Sequence, residues 1–193
     1  MTKSDTRATA LAILLLATAS PAQNDTPNRL ILKVDETVMG PFGGQRSSSC
    51  LRVYSDGRAT YTKWWNSNAV IVDSAGAESR PEQTVSVTHR LADTDVWELS
   101  AFLESNGVKR LPQKFDPPHK PIDYFERVTV DVIDSRNRSK KIVAREYYVA
   151  SLEEKVRYPS ALILLMDRID QIEQEAVDKG APSEVPADCS LKE

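Results

Sequence analysis

Histidine and cysteine are the scarcest chemistry-bearing residues in this chain, two of each in 193 residues. Zinc sites gather several His or Cys ligands at set spacings. His89, His119, Cys50 and Cys189 are too few and too scattered for that. His119 with Asp116 and Asp123 is the nearest approach to a metal or acid–base cluster, and its spacing matches no known ligand set. A serine hydrolase elbow, Gly-x-Ser-x-Gly, accompanies neither histidine. A phosphate-binding loop is also missing, because the glycines of Met39–Gln45 are followed by neither Gly-Lys-Ser/Thr nor a helix start. Positive charge is not in excess: 25 Lys and Arg stand against 28 Asp and Glu, for a net charge of −3. That balance argues against nucleic acid, which requires a clustered cationic surface, and against an anionic membrane surface. No catalytic residue, cofactor or metal ligand is therefore assigned.

What is present begins with an export signal. Lys3 and Arg7 precede the apolar run Ala8–Ala19, which is shorter than the ~20 residues needed to span a bilayer. Small residues place cleavage after Ala19 or Ala22, so residues 1–22 read as a signal peptide and no membrane span remains after cleavage. Residues 29–178 read as one α+β domain and residues 179–193 as an irregular tail. Apolar residues make up 40% of the chain, enough for a core. Export implies an oxidising compartment, secreted or periplasmic. There the even cysteine count suggests a Cys50–Cys189 bridge pinning the tail, the alternative being two free thiols. A loop that long would contribute roughly 5 kcal/mol in the chain-entropy description.

Ser48–Trp65 carries the strongest local pattern: two strand-forming runs around a Ser55-Asp56-Gly57 turn, with Gly supplying a positive φ. Trp64 and Trp65 are adjacent, so a regular strand points them to opposite faces. Further alternating runs predict strands at Arg29–Val38, Thr84–Arg90, Tyr124–Ile133 and Ser139–Ala150, with a short one near Ala69–Val72. Val96, Leu99, Phe102 and Leu103 form the apolar stripe of a helix over Asp93–Asn106, capped by Asp93 or Asp95. Leu162, Leu165, Met166, Ile169 and Ile172 form that of a second helix over Tyr158–Asp178. Pro112–Pro121, with four prolines in ten residues, reads as a stiff loop. Arg136, Arg138, Lys140, Lys141 and Arg145 form a basic cluster that reads first as solvated hairpin charge. Asn24 and Asn137 fit the glycosylation pattern.

The expected fold is α+β, an antiparallel sheet of about five to six strands with two helices on one face. The Gly40-Pro41-Phe42-Gly43-Gly44 bulge opens a recognisable layout. It continues through the Leu51–Tyr61 hairpin, the Val96–Leu103 helix, Gly107-Val108 leading to Leu111-Pro112, a strand pair, and a closing Pro159-Ser160-Ala161-Leu162 helix. In that layout, over Leu30–Ile172, the chain resembles small exported bacterial domains and the emfourin-type inhibitors of thermolysin-like metalloproteases. It departs from them by the Asn66–Pro81 insert, the cysteines and the tail. No site residues are carried over. The resemblance implies a non-enzymatic role, with another protein, a protease or an envelope component, as partner. The readings open at this point are an exported binding domain or protease inhibitor, a structural module of the cell envelope, and a hydrolase built on a carboxylate pair that no spacing reveals. The surface favoured for a partner is Gly40, Phe42, Gly43 and Gly44 with Trp64 or Trp65. N-terminal sequencing of the exported protein is expected to show a mature chain beginning after Ala19 or Ala22; one still beginning at Thr2 would refute the export signal.

Overall fold

The computed structural model describes residues 28–40, 46–66, 71–72, 78–79, 81–116, 125–148 and 157–189. Six long strands form where the sequence alternates: β1 (Leu30–Met39), β2 (Arg46–Tyr54), β3 (Arg58–Asn66), β6 (Glu82–Arg90), β8 (Phe125–Ile133) and β9 (Ser139–Arg145). Four two-residue strands complete the set: β4 (Ile71–Val72), β5 (Glu78–Ser79), β7 (Lys114–Phe115) and β10 (Ala181–Pro182). The helices are α1 (Asp93–Leu103), α2 (Asn106–Lys109) and α3 (Ser160–Lys179). One eight-stranded sheet runs in the order β10-β6-β3-β2-β1-β8-β9-β7, and β4 pairs with β5 apart from it.

Two expectations change here. The sheet has eight strands rather than five or six, and it is not wholly antiparallel, since β7 runs parallel to β9. The additional strands are edge pairs of two residues, too short to alternate visibly in sequence. One leaves the proline loop and the other lies in the tail that reads as irregular. Proline at the end of β10 suits an edge, where a missing N–H breaks no inner ladder. The helix expected over Asp93–Asn106 also ends earlier, at Leu103. After α1 ends, Ser105 caps a further helical turn by accepting from Val108 N at 3.4 Å. Nor does Asp93 or Asp95 cap α1. Both lie within its first turn, after Ala92, where their charge suits the helix dipole.

Strand alternation divides the sheet into two unlike faces. Leu32, Val34, Leu51, Val53, Ala59, Tyr61, Val87, Val128, Val130, Val132, Ile142 and Ala144 lie in the buried core with residues of α1, α2 and α3. From α3, Leu162, Leu165, Met166, Ile169 and Ile172 enter it, all of them positions of the helical stripe. At roughly 1.5–3 kcal/mol per fully buried large aliphatic side chain, this layer supplies most of the drive to fold. The opposite face carries Lys33, Asp35, Cys50, Arg52, Thr60, Thr62, Ser86 and Thr88. Paired hydroxyls tie its strands together: Thr60 with Thr88 at 3.0 Å and Thr62 with Ser86 at 2.9 Å.

The tail crosses that polar face. Ala181 and Pro182 pair with Thr88 and Val87, Ser183 N donates to Ser86 O at 3.0 Å, and Cys189 is bonded to Cys50 across a Cα separation of 6.0 Å. The bridge favoured by the cysteine count is present. Among the described residues, no helix is long and apolar enough to cross a membrane.

Two glycines are required by space. Gly57 takes φ +85 in the β2–β3 turn, and a Cβ there would stand 3.0 Å from the Leu91 carbonyl oxygen. At the end of α3, a Cβ on Gly180 would collide with the Ala176 carbonyl oxygen and stand 3.0 Å from Val87 Cβ. Gly57→Ala and Gly180→Ala are each expected to cost about 1–3 kcal/mol, read as a lowered urea midpoint at unchanged slope. A midpoint equal to that of the parent would show that the backbone yields.

Candidate functional site

Of the partner surface favoured by sequence, Gly40 is half-buried at the end of β1, and Phe42, Gly43 and Gly44 lie outside the described residues. Trp64 is buried on the tail-side face, opposite Ser48 and Thr84, and its indole Nε1 finds no acceptor among the described residues. Trp65 is half-buried on the other face. The tryptophan that solvent reaches most is Trp97 of α1, 73% exposed, which falls off the Val96–Leu99–Leu103 stripe. His119 lies outside the described residues, and His89 stands in β6 with Nε2 3.8 Å from Glu175.

Two polar groupings emerge that no local spacing reveals. The first is a group of carboxyls on β1 and α3 that influence one another electrostatically. Glu36 of β1, half-buried, accepts from Ser49 Oγ at 3.0 Å. Asp170 of α3 accepts from the Tyr148 hydroxyl at 2.6 Å. Glu173 follows one turn later on α3. Burial pushes the Glu173 carboxyl up to about 8, and the charges of Glu36 and Asp170 add to it against a smaller pull from Lys63. Burial also raises Glu36, opposed by Ser49 and Lys63, and it lifts the Tyr147 hydroxyl to about 12. Tyr148 links this group to Glu126, which is buried, both of its oxygens accepting from Tyr148 N, at 3.1 and 3.2 Å. Glu146 is buried in a left-handed conformation, φ 54, a strained geometry of the kind often kept near working sites. A carboxyl raised toward neutral pH among other acids is the kind of group that can exchange protons. Among the described residues, no group of three or more His, Cys, Asp or Glu could hold a metal ion.

The second grouping is a basin of about 800 Å³ on the tail-side face. Lys33, Lys114, Arg127, Lys141 and Arg145 line it, against two acids, Asp35 and Asp188, with Thr37, Ser48, Gln113, Thr129 and Val143 between them. Arg127 and Arg145 are direct cross-strand partners, an arrangement of like charges that destabilises a sheet when nothing neutralises it. Arg145 reaches Asp116 at 3.7 Å, and Asp116 also takes Lys114 at 2.8 Å. The buried Nε of Arg145 has no acceptor among the described residues. Arg127 and Lys141 have no carboxylate within ion-pair distance among those residues; Lys141 is paired in register with Asp131 without such a contact.

Alternation also splits the basic hairpin cluster read from sequence. Arg138 is held in the turn by Asp134, at 2.6 Å between Nη2 and Oδ2. Backbone and side-chain hydrogen bonds from Arg138, with one from Arg136 N, hold the Asp134 carboxyl down to about 2. Lys140 donates to Lys109 O on the core side. Lys141 and Arg145 face the basin, where β1 and β8 add Lys33 and Arg127. Those last two carried no signal, because their convergence depends on strand order.

No protein-family model matches the chain, and no curated protein is similar to it.

Glu173 yields a test. Its carboxyl binds a proton up to about pH 8 when folded but only up to its ordinary value, 4.5, when unfolded. The folded state therefore holds more protons between those pH values, and stability falls as pH rises through that window. Glu173→Gln is expected to flatten the slope, gaining about 1–3 kcal/mol at pH 8 and almost nothing at pH 4. Denaturant titrations at the two pH values would check it, and an equal effect at both would refute it.

Proposed function

We propose that the chain is an exported, non-enzymatic binding domain, and that the basin is its working surface for an acidic protein partner. The observation that carries this reading is the segregation of charge. A chain with net charge −3 gathers five cations into one concave face and sets two arginines opposite each other there. Such a face attracts and orients an oppositely charged surface, and exposed cations at its rim act chiefly on association rate and salt dependence. The Cys50–Cys189 bridge supports export, since structural disulfides persist in oxidising compartments. The resemblance of the sequence layout to emfourin-type inhibitors favours a protein partner, a protease in the narrower form of the reading and a component of the cell envelope in the broader one.

Binding of a rhodamine-labelled oligoglutamate peptide, followed by fluorescence anisotropy, tests the surface. Affinity is expected to fall steeply with salt, and by ~tenfold or more in Arg127→Glu/Lys141→Glu, as a loss of ~1.4 kcal/mol implies. Equal binding by parent and double variant would remove the basin from the reading. Inhibition assays against a thermolysin-like metalloprotease test the narrower form, which an unaffected protease activity would exclude.

A further inference from the structure

Asp188 lines the basin, yet it belongs to the tail. Its Oδ2 accepts from Arg52 Nε at 2.8 Å, its carbonyl oxygen accepts from Arg52 Nη2 at 3.1 Å, and Lys33 Nζ lies 3.8 Å away. Arg52 is completely buried. Its remaining donors go to Asp35 Oδ1 at 2.8 Å, Val34 O at 2.9 Å and Leu51 O at 3.0 Å. Cys189, the next residue, is bonded to Cys50, which stands two positions before Arg52 on the same face of β2. The bridge thus holds one carboxylate and one backbone carbonyl of a turn, closed by Cys189 N donating to Pro186 O at 3.0 Å, against the guanidinium.

We infer that the tail is a resident competitor, with Asp188 filling at Arg52 and Lys33 the place that a carboxylate of an acidic polypeptide partner takes when the tail is released. This rests on the basin being the binding surface, and it names that surface's ligand chemistry and its regulation. Occupation by Asp188 removes Arg52 from the face and sets a negative charge beside Lys33. Covalent attachment makes the competition intramolecular, so the tail acts at an effective concentration far above that of a free peptide. Release follows two-electron reduction by a dithiol. The Cys50–Cys189 bond breaks, each sulfur takes an electron and a proton, and the dithiol closes to its own disulfide. The tail is then held by the β10–β6 pair, the serine contacts and the Arg52 ion pair alone. Release frees two donors of Arg52, Nε and one on Nη2, an edge suited to bidentate carboxylate recognition, while Asp35, Val34 and Leu51 keep the other three.

The rhodamine-labelled oligoglutamate peptide tests this on the full chain. Asp188→Asn, which keeps the bridge, and Cys50→Ser/Cys189→Ser, which removes it, are each expected to bind about three- to tenfold more tightly than the parent, a coupling at the lower end of the allosteric range. Adding Arg127→Glu/Lys141→Glu should abolish that gain. Near-ultraviolet circular dichroism verifies folding, and Asp188→Asn carries the test if the cysteine variant does not fold. If the parent binds through Arg127 and Lys141 but neither unstrapped variant binds more tightly, the competitor role is overturned and the basin stands. If neither the parent nor any unstrapped variant binds the peptide, the basin fails and this inference with it.

Discussion

A guanidinium buried in the middle of a sheet sets the terms for one whole side of this protein. Removing such a charge from water costs several kcal/mol unless every donor is paired and a counter-charge is close. All five N–H donors of Arg52 find acceptors, and the two carboxylates come from opposite ends of the chain, Asp35 from β1 and Asp188 from the tail. β1 alone leaves the Nε donor without its acceptor. The tail has to return across the sheet to supply it, and the bridge at Cys50 keeps it there. Burial opposes ionisation of Asp188, but the Arg52 hydrogen bond and charge, with Lys33, outweigh it and hold the carboxyl below its ordinary value. The ion pair and the disulfide form one clamp, because Cys50 and Arg52 share a strand face and Asp188 and Cys189 are neighbours.

The clamp explains the division of labour between the faces. The apolar face meets helices and folds by burial. Among the described residues no apolar layer lies over the opposite face, and hydroxyl ladders, a buried ion pair and a tied tail contribute to its cover. Polar contacts of this kind contribute less net stability than aliphatic burial, but they are costly when half-satisfied. The group of carboxyls on β1 and α3 poses the same problem on the core side of the sheet. There Glu173, between the buried Ile172 and Ala176 of α3, and Glu36 are drawn out of water, with Ser49 donating to Glu36. Burial outweighs the pull of Lys63 and raises both carboxyls.

Alternation carried the six long strands, and the 3.6-residue spacing carried α1 and α3, because each signal lies within one segment. Asp56-Gly57 marked its turn because only glycine accepts φ +85 against the Leu91 carbonyl. The two-residue edge strands were illegible, since two residues hold no period. The basin was illegible for a different reason. Lys33, Lys114, Arg127, Lys141 and Arg145 come from β1, β7, β8 and β9, and only the order β1-β8-β9-β7 brings them together. The adjacent tryptophans drew attention because a strand separates them, and separation alone did not say which would be covered. Burial of Trp64 beneath the polar side, and the exposure of Trp97 on α1, both depend on what packs over each face.

Net charge is therefore a weak guide to partners in this molecule. The excess of acid is spread over helices and loops, where α3 alone carries Asp167, Asp170, Glu173, Glu175 and Asp178. The cations are gathered by strand order onto one concavity, and potential within a Debye length of ~10 Å depends on that local sum. A global −3 and a local cationic face coexist because sequence neighbours on a strand point to opposite sides. Lys140 and Lys141, adjacent in sequence, end respectively on a helix carbonyl and at the basin wall. The tail is placed where these two scales meet. It is acidic through Glu184 and Asp188, and it is fastened at the border of the cationic surface rather than left in solution. The segment that satisfies the buried Arg52 is the same one that lowers the charge of the basin, so folding of the tail side and the strength of that surface are set by a single contact.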